Sequence, residues 1–167
     1  MKIFTFLVFT ISINSFGQTK NISTSEILHL FKKSIYQPDK KAIDIVSNDW
    51  FFCNEDSAYF KKDTLKLYSN SYHTKLVVYS SNCCEQIGWT FYKKDKFVLS
   101  RSSSCRARGY PSTDKDFYTI NLEKKDKTLF LQTYNQQGLG EYFRIIDLIK
   151  EKNDFYFNYQ IILKREK

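Results

Sequence analysis

CCEQIGWTFYKKDKFVLSRSSSC, residues 83–105, is the stretch on which the fold turns. Ile87, Trp89 and Phe91 alternate with polar residues, and after the break at Tyr92–Lys96 so do Phe97 and Leu99. A period of two marks half-buried strands, and two such runs around a short polar break mark an antiparallel hairpin. A loop from Tyr92 to Lys96 pairs Phe91 with Phe97 and Trp89 with Leu99, all on one face. A slip of one residue would turn that set toward water. Continued, the ladder sets Cys83 opposite Cys105, within bridging reach, and leaves Cys53 for Cys84. An even-numbered turn at Lys94-Asp95 would oppose Cys84 and Cys105 instead. The first register is preferred because it keeps the apolar faces together. A bridge between the adjacent Cys83 and Cys84 would be strained.

Outward from this hairpin the same alternation runs through most of the chain. Strands are expected near 46–53, 64–69, 74–80, 86–93, 96–102, 116–124, 127–134, 140–150 and 154–164. Short polar breaks between them are the signature of an antiparallel sandwich or barrel. A turn at Lys125-Asp126 sets Leu122 against Leu129, Ile120 against Leu131 and Tyr118 against Thr133. A turn at Lys152-Asn153 sets Leu148 against Phe157, Ile146 against Tyr159 and Tyr142 against Leu163. Ahead of the strands, Ser23 to Glu26 fits a helix capping box. Ile27, Leu28, Leu30, Phe31 and Ile35 follow at helical spacing, and Tyr36-Gln37-Pro38-Asp39 ends the run. The expected organisation is an N-terminal helical segment at 18–45 and one antiparallel, mainly β domain at 46–167, a sandwich or a barrel.

Residues 1–17 read as an export signal: Lys2, an apolar run from Ile3 to Ile13, and small residues at Ser15 and Gly17, with cleavage expected before Gln18. The run is too short for a membrane span, and no later segment comes closer. The expectation is a periplasmic or extracellular protein with no integral membrane segment after cleavage. Such a compartment turns the four cysteines, Cys53, Cys83, Cys84 and Cys105, into two disulfides by default. A zinc site would need reduced thiolates, and the spacing is not a paired C-x-x-C, so no metal is expected. Net charge is +8 and aromatics make up 17% of the chain. Outside the cytoplasm that charge points away from nucleic acid and toward anionic envelope material, an acidic protein partner or plain solubility.

Trp50-Phe51-Phe52-Cys53, Asp63-Thr64-Leu65-Lys66-Leu67, and Trp89-Thr90-Phe91 with Lys94-Asp95-Lys96-Phe97 resemble the small secreted lipocalin-like proteins of Bacteroidota, over 46–166. The end of the leader, Phe16-Gly17-Gln18, is similar in style to exports of that phylum. The resemblance implies a closed or nearly closed antiparallel meander, a lipocalin-like barrel with a helix laid against it. It also implies structural roles for two residues. Trp50 matches the tryptophan of the first strand, and Arg165 matches the arginine that closes the barrel floor beneath it; Asn48 replaces the usual glycine. Asp56-Ser57-Ala58 and Asp63-Thr64-Leu65 resemble an O-glycosylation signal of such exports and read equally as turns. An eight-stranded barrel holds side chains or one small ligand. The inward candidates Trp50, Phe52, Trp89, Phe91, Phe97 and Phe157 are bulky, so a filled interior is expected.

Candidate chemistry is sparse. Arg101 and Arg144 fall on otherwise apolar faces beside Leu99 and Ile146, and a buried guanidinium needs a partner. One reading is a small apolar or anionic ligand, its headgroup held by Arg101 and Arg144 and its acyl tail lined by Trp89 and Phe91. The other places both arginines at barrel rims or pairs them with Glu85 or Glu141. The loop from Arg101 to Pro111 carries Arg106, Arg108 and Tyr110 and could dock an acidic envelope protein; a solvated connection is the bland alternative. His29 and His73 lack metal-ligand spacing, no nucleophile elbow is present, and the acids sit beside lysines. The expectation is a non-catalytic binding protein without a cofactor, or else an envelope interaction protein of inhibitor or immunity type with a filled barrel and active loops.

Overall fold

The computed structural model describes residues 21–35, 49–69, 83–103, 105, 108–152 and 157–166. The leader, the helix stop at 36–39, His73, Arg106 and the strand expected at 74–80 lie outside them. Helix α1 covers Thr24–Lys33, with the Ser23 hydroxyl accepting from the Glu26 N–H at 3.1 Å. Among the described residues nine strands follow: β1 Trp50–Cys53, β2 Thr64–Ser69, β3 Glu85–Lys93, β4 Lys96–Ser103, β5 Arg108–Gly109, β6 Phe117–Lys125, β7 Thr128–Asn135, β8 Tyr142–Lys152 and β9 Phe157–Arg165. A 3-10 turn at Glu55–Ser57 and the short α2 at Ala58–Lys61 join β1 to β2.

The strands run in the order β3-β1-β2-β9-β8-β7-β6-β4, and β4 pairs back onto β3. Eight strands therefore close an antiparallel barrel, and the two-residue β5 hangs on the outer edge of β4. The order departs from the expected meander, because β1 sits between β2 and β3. The reason lies in matched faces: β1 pairs Trp50 with Trp89 and Phe52 with Ile87, so cross-strand apolar pairs on the buried face fix its place.

The hairpin of β3 and β4 has the expected register, Phe91 with Phe97 and Trp89 with Leu99. A bulge between Phe91 and Lys93 absorbs one residue, so the turn itself is the even one, Lys93 pairing with Lys96. The β6–β7 hairpin is offset by two residues from expectation: Leu122 pairs with Leu131 and Ile120 with Thr133. The turn falls at Asp126-Lys127, with Asp126 in the left-handed region at φ 53. A shift of two keeps every side chain on its face. The β8–β9 expectation needs more correction. Leu148 pairs with Ile161, and a bulge between Ile145 and Asp147 reverses the phase of β8. Phe143, Ile145 and Leu148 are buried, while Ile146 is exposed.

Among the described residues the interior is packed with large side chains. Trp50, Trp89, Phe31, Phe91, Phe97 and Phe143 are all essentially buried. Trp89 stacks on Phe97 with centroids 4.4 Å apart, and Phe31 stacks on Phe91 at 4.3 Å. Helix α1 closes one end of the barrel through Phe31, which meets Trp50 edge-on at 5.7 Å. The Trp50 indole N–H donates to the Ser34 hydroxyl at 2.8 Å, so this buried donor is satisfied from the helix.

The cysteines pair as Cys53–Cys83 and Cys84–Cys105, with Cα separations of 5.8 and 5.1 Å. Neither of the preferred pairs forms. The β3–β4 ladder ends at Glu85 with Ser103, and β4 then doubles back to pair Ser103 with Arg108. Cys105 thus sits in a turn rather than on the extended ladder, and it meets Cys84. Cys53 opposes Gln86 on β3, and the Asn54 N–H bonds the Glu85 carbonyl at 2.7 Å, which leads the β1 side toward Cys83.

Candidate functional site

The end of the barrel away from α1 carries the polar groups. Arg165 closes part of it, although not beneath Trp50 as expected. Its guanidinium lies 5.5 Å from the Tyr59 ring and 5.4 Å from the Phe143 ring. It pairs with Glu141 at 2.7 Å and donates to the Tyr59 carbonyl at 2.7 Å and to the Lys62 carbonyl. The Trp89 indole N–H donates to the Tyr59 hydroxyl at 3.1 Å. Burial, and then the Glu141 carboxylate, push the Tyr59 phenol far above its ordinary range. Tyr118 is raised as well, by burial first and then by Glu141 and Asp116, against the opposing charge of Arg101.

The opening itself comes from a fork in the sheet. β4 pairs with β6 only at Lys96, Phe97 and Val98, and beyond that its edge takes β5. Between the distal half of β4 and the β6–β7 pair lies a cleft of about 690 Å³, lined by Leu99, Arg101, Tyr110, Lys115, Tyr118 and Asn135 among others. A recess of about 210 Å³ bordered by Tyr59, Phe60, Phe97 and Glu141 adjoins it, sharing Leu99, Tyr118 and Leu139.

Most polar groups here are already bonded. The Asp116 carboxylate accepts from the Thr113 N–H and hydroxyl at 2.8 and 2.9 Å. The Asn135 side-chain oxygen accepts from the N–H groups of Gln137 and Leu139 at 2.9 and 3.0 Å, and its amide donates to the Lys115 carbonyl at 3.1 Å. Arg101 differs. It shares the inward parity of Leu99, stands over the Phe60 ring at 5.3 Å, and has no carboxylate within ion-pair range among the described residues. A guanidinium so placed can grip a carboxylate or phosphate bidentately while Phe60 flanks it.

The remaining sequence candidates separate from this site. Trp89 and Phe91 are core residues at 0% and 1% exposure, so they cannot line a ligand's tail. Arg144 faces outward because of the β8 bulge, and it pairs with Glu166 at 3.0 Å. Tyr110 borders the cleft and is exposed; Arg108 lies in β5 and Arg106 beyond the described residues. Sequence reading missed Phe60, Lys115 and Asn135. Phe60 sits in the irregular link between β1 and β2, where no period exists to place it. Cys53, Glu55 and Cys83 put three donor atoms within 4.8 Å of one another. The two sulfurs are bonded together, however, and the Glu55 carboxylate accepts from the N–H groups of Cys84 and Glu85. Among the described residues no helix is long and apolar enough to cross a membrane. No family model matches this chain, and comparison with curated proteins and with solved structures finds no match.

Proposed function

We propose that this is an exported, non-catalytic binding protein with a lipocalin-like barrel, which holds a small ligand by its carboxylate or phosphate at the open mouth rather than in the interior. One observation carries the reading. Of the three arginines whose side chains are described, Arg144 and Arg165 are ion-paired, whereas Arg101 faces the cleft without a carboxylate. Among the described residues the core is packed with Trp50, Trp89, Phe91, Phe97 and Phe143, which argues against an acyl tail running inward. The apolar part of the ligand therefore lies along Phe60, Leu99 and Tyr110 at the rim. Two disulfides fit an oxidising compartment.

The test is titration with a dansyl-labelled fatty acid alongside native mass spectrometry of the exported protein. Uptake is expected, and Arg101→Ala is expected to weaken it by about tenfold or more, the worth of a charge-assisted bidentate pair. Equal uptake by wild type and Arg101→Ala would sink the reading. The filled interior also favours a second reading, in which the β4–β5 hairpin and Tyr110 dock an acidic envelope protein. Neutralising Arg106 and Arg108 would then abolish co-purification of that partner and leave fatty-acid uptake unchanged.

A further inference from the structure

We propose that the free edge of β2 is a docking site for an extended acidic peptide, which joins the barrel there as an added strand. β1 and β2 pair only through Trp50 with Ser69 and Phe51 with Tyr68. β1 then ends at Cys53 and the chain leaves through the 3-10 turn and α2. β2 stays paired with β9 from Thr64 to Tyr68. The edge of β2 from Thr64 to Leu67 that faces β1 thus has no ladder partner among the described residues.

The direction of the main-chain groups follows from the neighbouring ladder. The Asp63 carbonyl accepts from the Arg165 N–H at 2.7 Å. In an antiparallel pair alternate residues turn both groups to the same side. Asp63, Leu65 and Leu67 therefore bond β9, while Thr64 and Lys66 present N–H and C=O to the open side. That side is a groove of about 660 Å³, with Phe52 and Ala58 among its walls and Lys61, Lys62 and Lys66 on its rim. All three lysines are exposed. Two acids, Glu55 and Asp56, stand beside the three lysines, and Glu55 is turned to the Cys84 and Glu85 N–H groups, so the groove keeps a net positive charge.

A strand added here would alternate its side chains between the apolar wall and the lysines. Strand addition draws its affinity from main-chain bonds and its selectivity from alternate side chains. Lysine on an edge discourages pairing with a second basic copy and selects an acidic occupant instead. The site lies on the β1–β2 side of the barrel, apart from the mouth cleft, and stands independently of it.

The experiment uses an acetylated hexapeptide alternating glutamate and valine, with amide exchange read by NMR on the intact protein. At saturation the Thr64 and Lys66 amides should exchange about tenfold more slowly or better. The same peptide N-methylated at alternate nitrogens should give no protection. A protein carrying Lys62→Glu and Lys66→Glu should lose the glutamate peptide and accept a lysine–valine one. The proposal is overturned if the Thr64 and Lys66 amides are already protected in the free protein, which would mean that the chain covers its own edge. Equal binding of the N-methylated peptide, or protection that appears only around Arg101, would overturn it too.

Discussion

Tyr59 shows how one side chain can link two parts of the barrel. Its hydroxyl accepts from Trp89 at the centre, while its carbonyl and ring meet Arg165 at the rim. Tyr59→Phe keeps the ring but leaves the Trp89 N–H unsatisfied, and should cost about 1–2 kcal/mol in urea denaturation near neutral pH. The phenol also sets an alkaline limit. Its folded pKa is raised by burial above the ordinary 10.0. The unfolded chain therefore releases this proton first, so stability is unaffected below that value and falls as pH climbs past it. Tyr59→Phe should flatten that fall, so the wild-type advantage narrows between about pH 9 and pH 11. At this scale the strand face of Arg101 was legible from its parity with Leu99, although at the barrel rim its side chain is exposed. Phe60, Arg101's ring partner, was not, since nothing periodic frames it.

Strands were legible wherever alternation ran unbroken, as in β2 and along Ile87, Trp89 and Phe91. Bulges were not. β8 offers two apolar phases, Phe143 with Ile145 and then Leu148, and one inserted residue switches between them. A reader holding a single phase places Ile146 and Arg144 inside, whereas the extra residue turns both outward. The placement of Cys105 failed for a related reason: a strand that folds back on itself ends a ladder that pure alternation would extend. The turn between β7 and β8 makes a sharper test of local geometry. A methyl on Gly140 would overlap the Thr133 carbonyl, next to the bond from the Thr133 N–H to the Glu141 carbonyl at 2.8 Å. Gly140→Ala should therefore destabilise by about 3 kcal/mol or more. Gly138, at φ 72 with open space around it, should cost only about 1 kcal/mol on the same change. Thermal melts of the two variants would separate them, and near-equal losses would contradict the turn as described.

For the molecule as a whole, closure combines three devices: an unbroken circuit of paired strands, an aromatic interior and two covalent ties. The ties span 30 and 21 residues of sequence. Chain-entropy reasoning gives each about 3 kcal/mol. Non-reducing peptide mapping should return Cys53 with Cys83 and Cys84 with Cys105, and serine replacement of either pair should lower the unfolding free energy by about that amount. The two bridges start from adjacent residues, and this has a topological result. The covalent rings meet at the single peptide bond between Cys83 and Cys84 and trace a figure of eight. One backbone cut anywhere inside either loop liberates no fragment, so a nicked molecule keeps its full mass until its sulfurs are reduced.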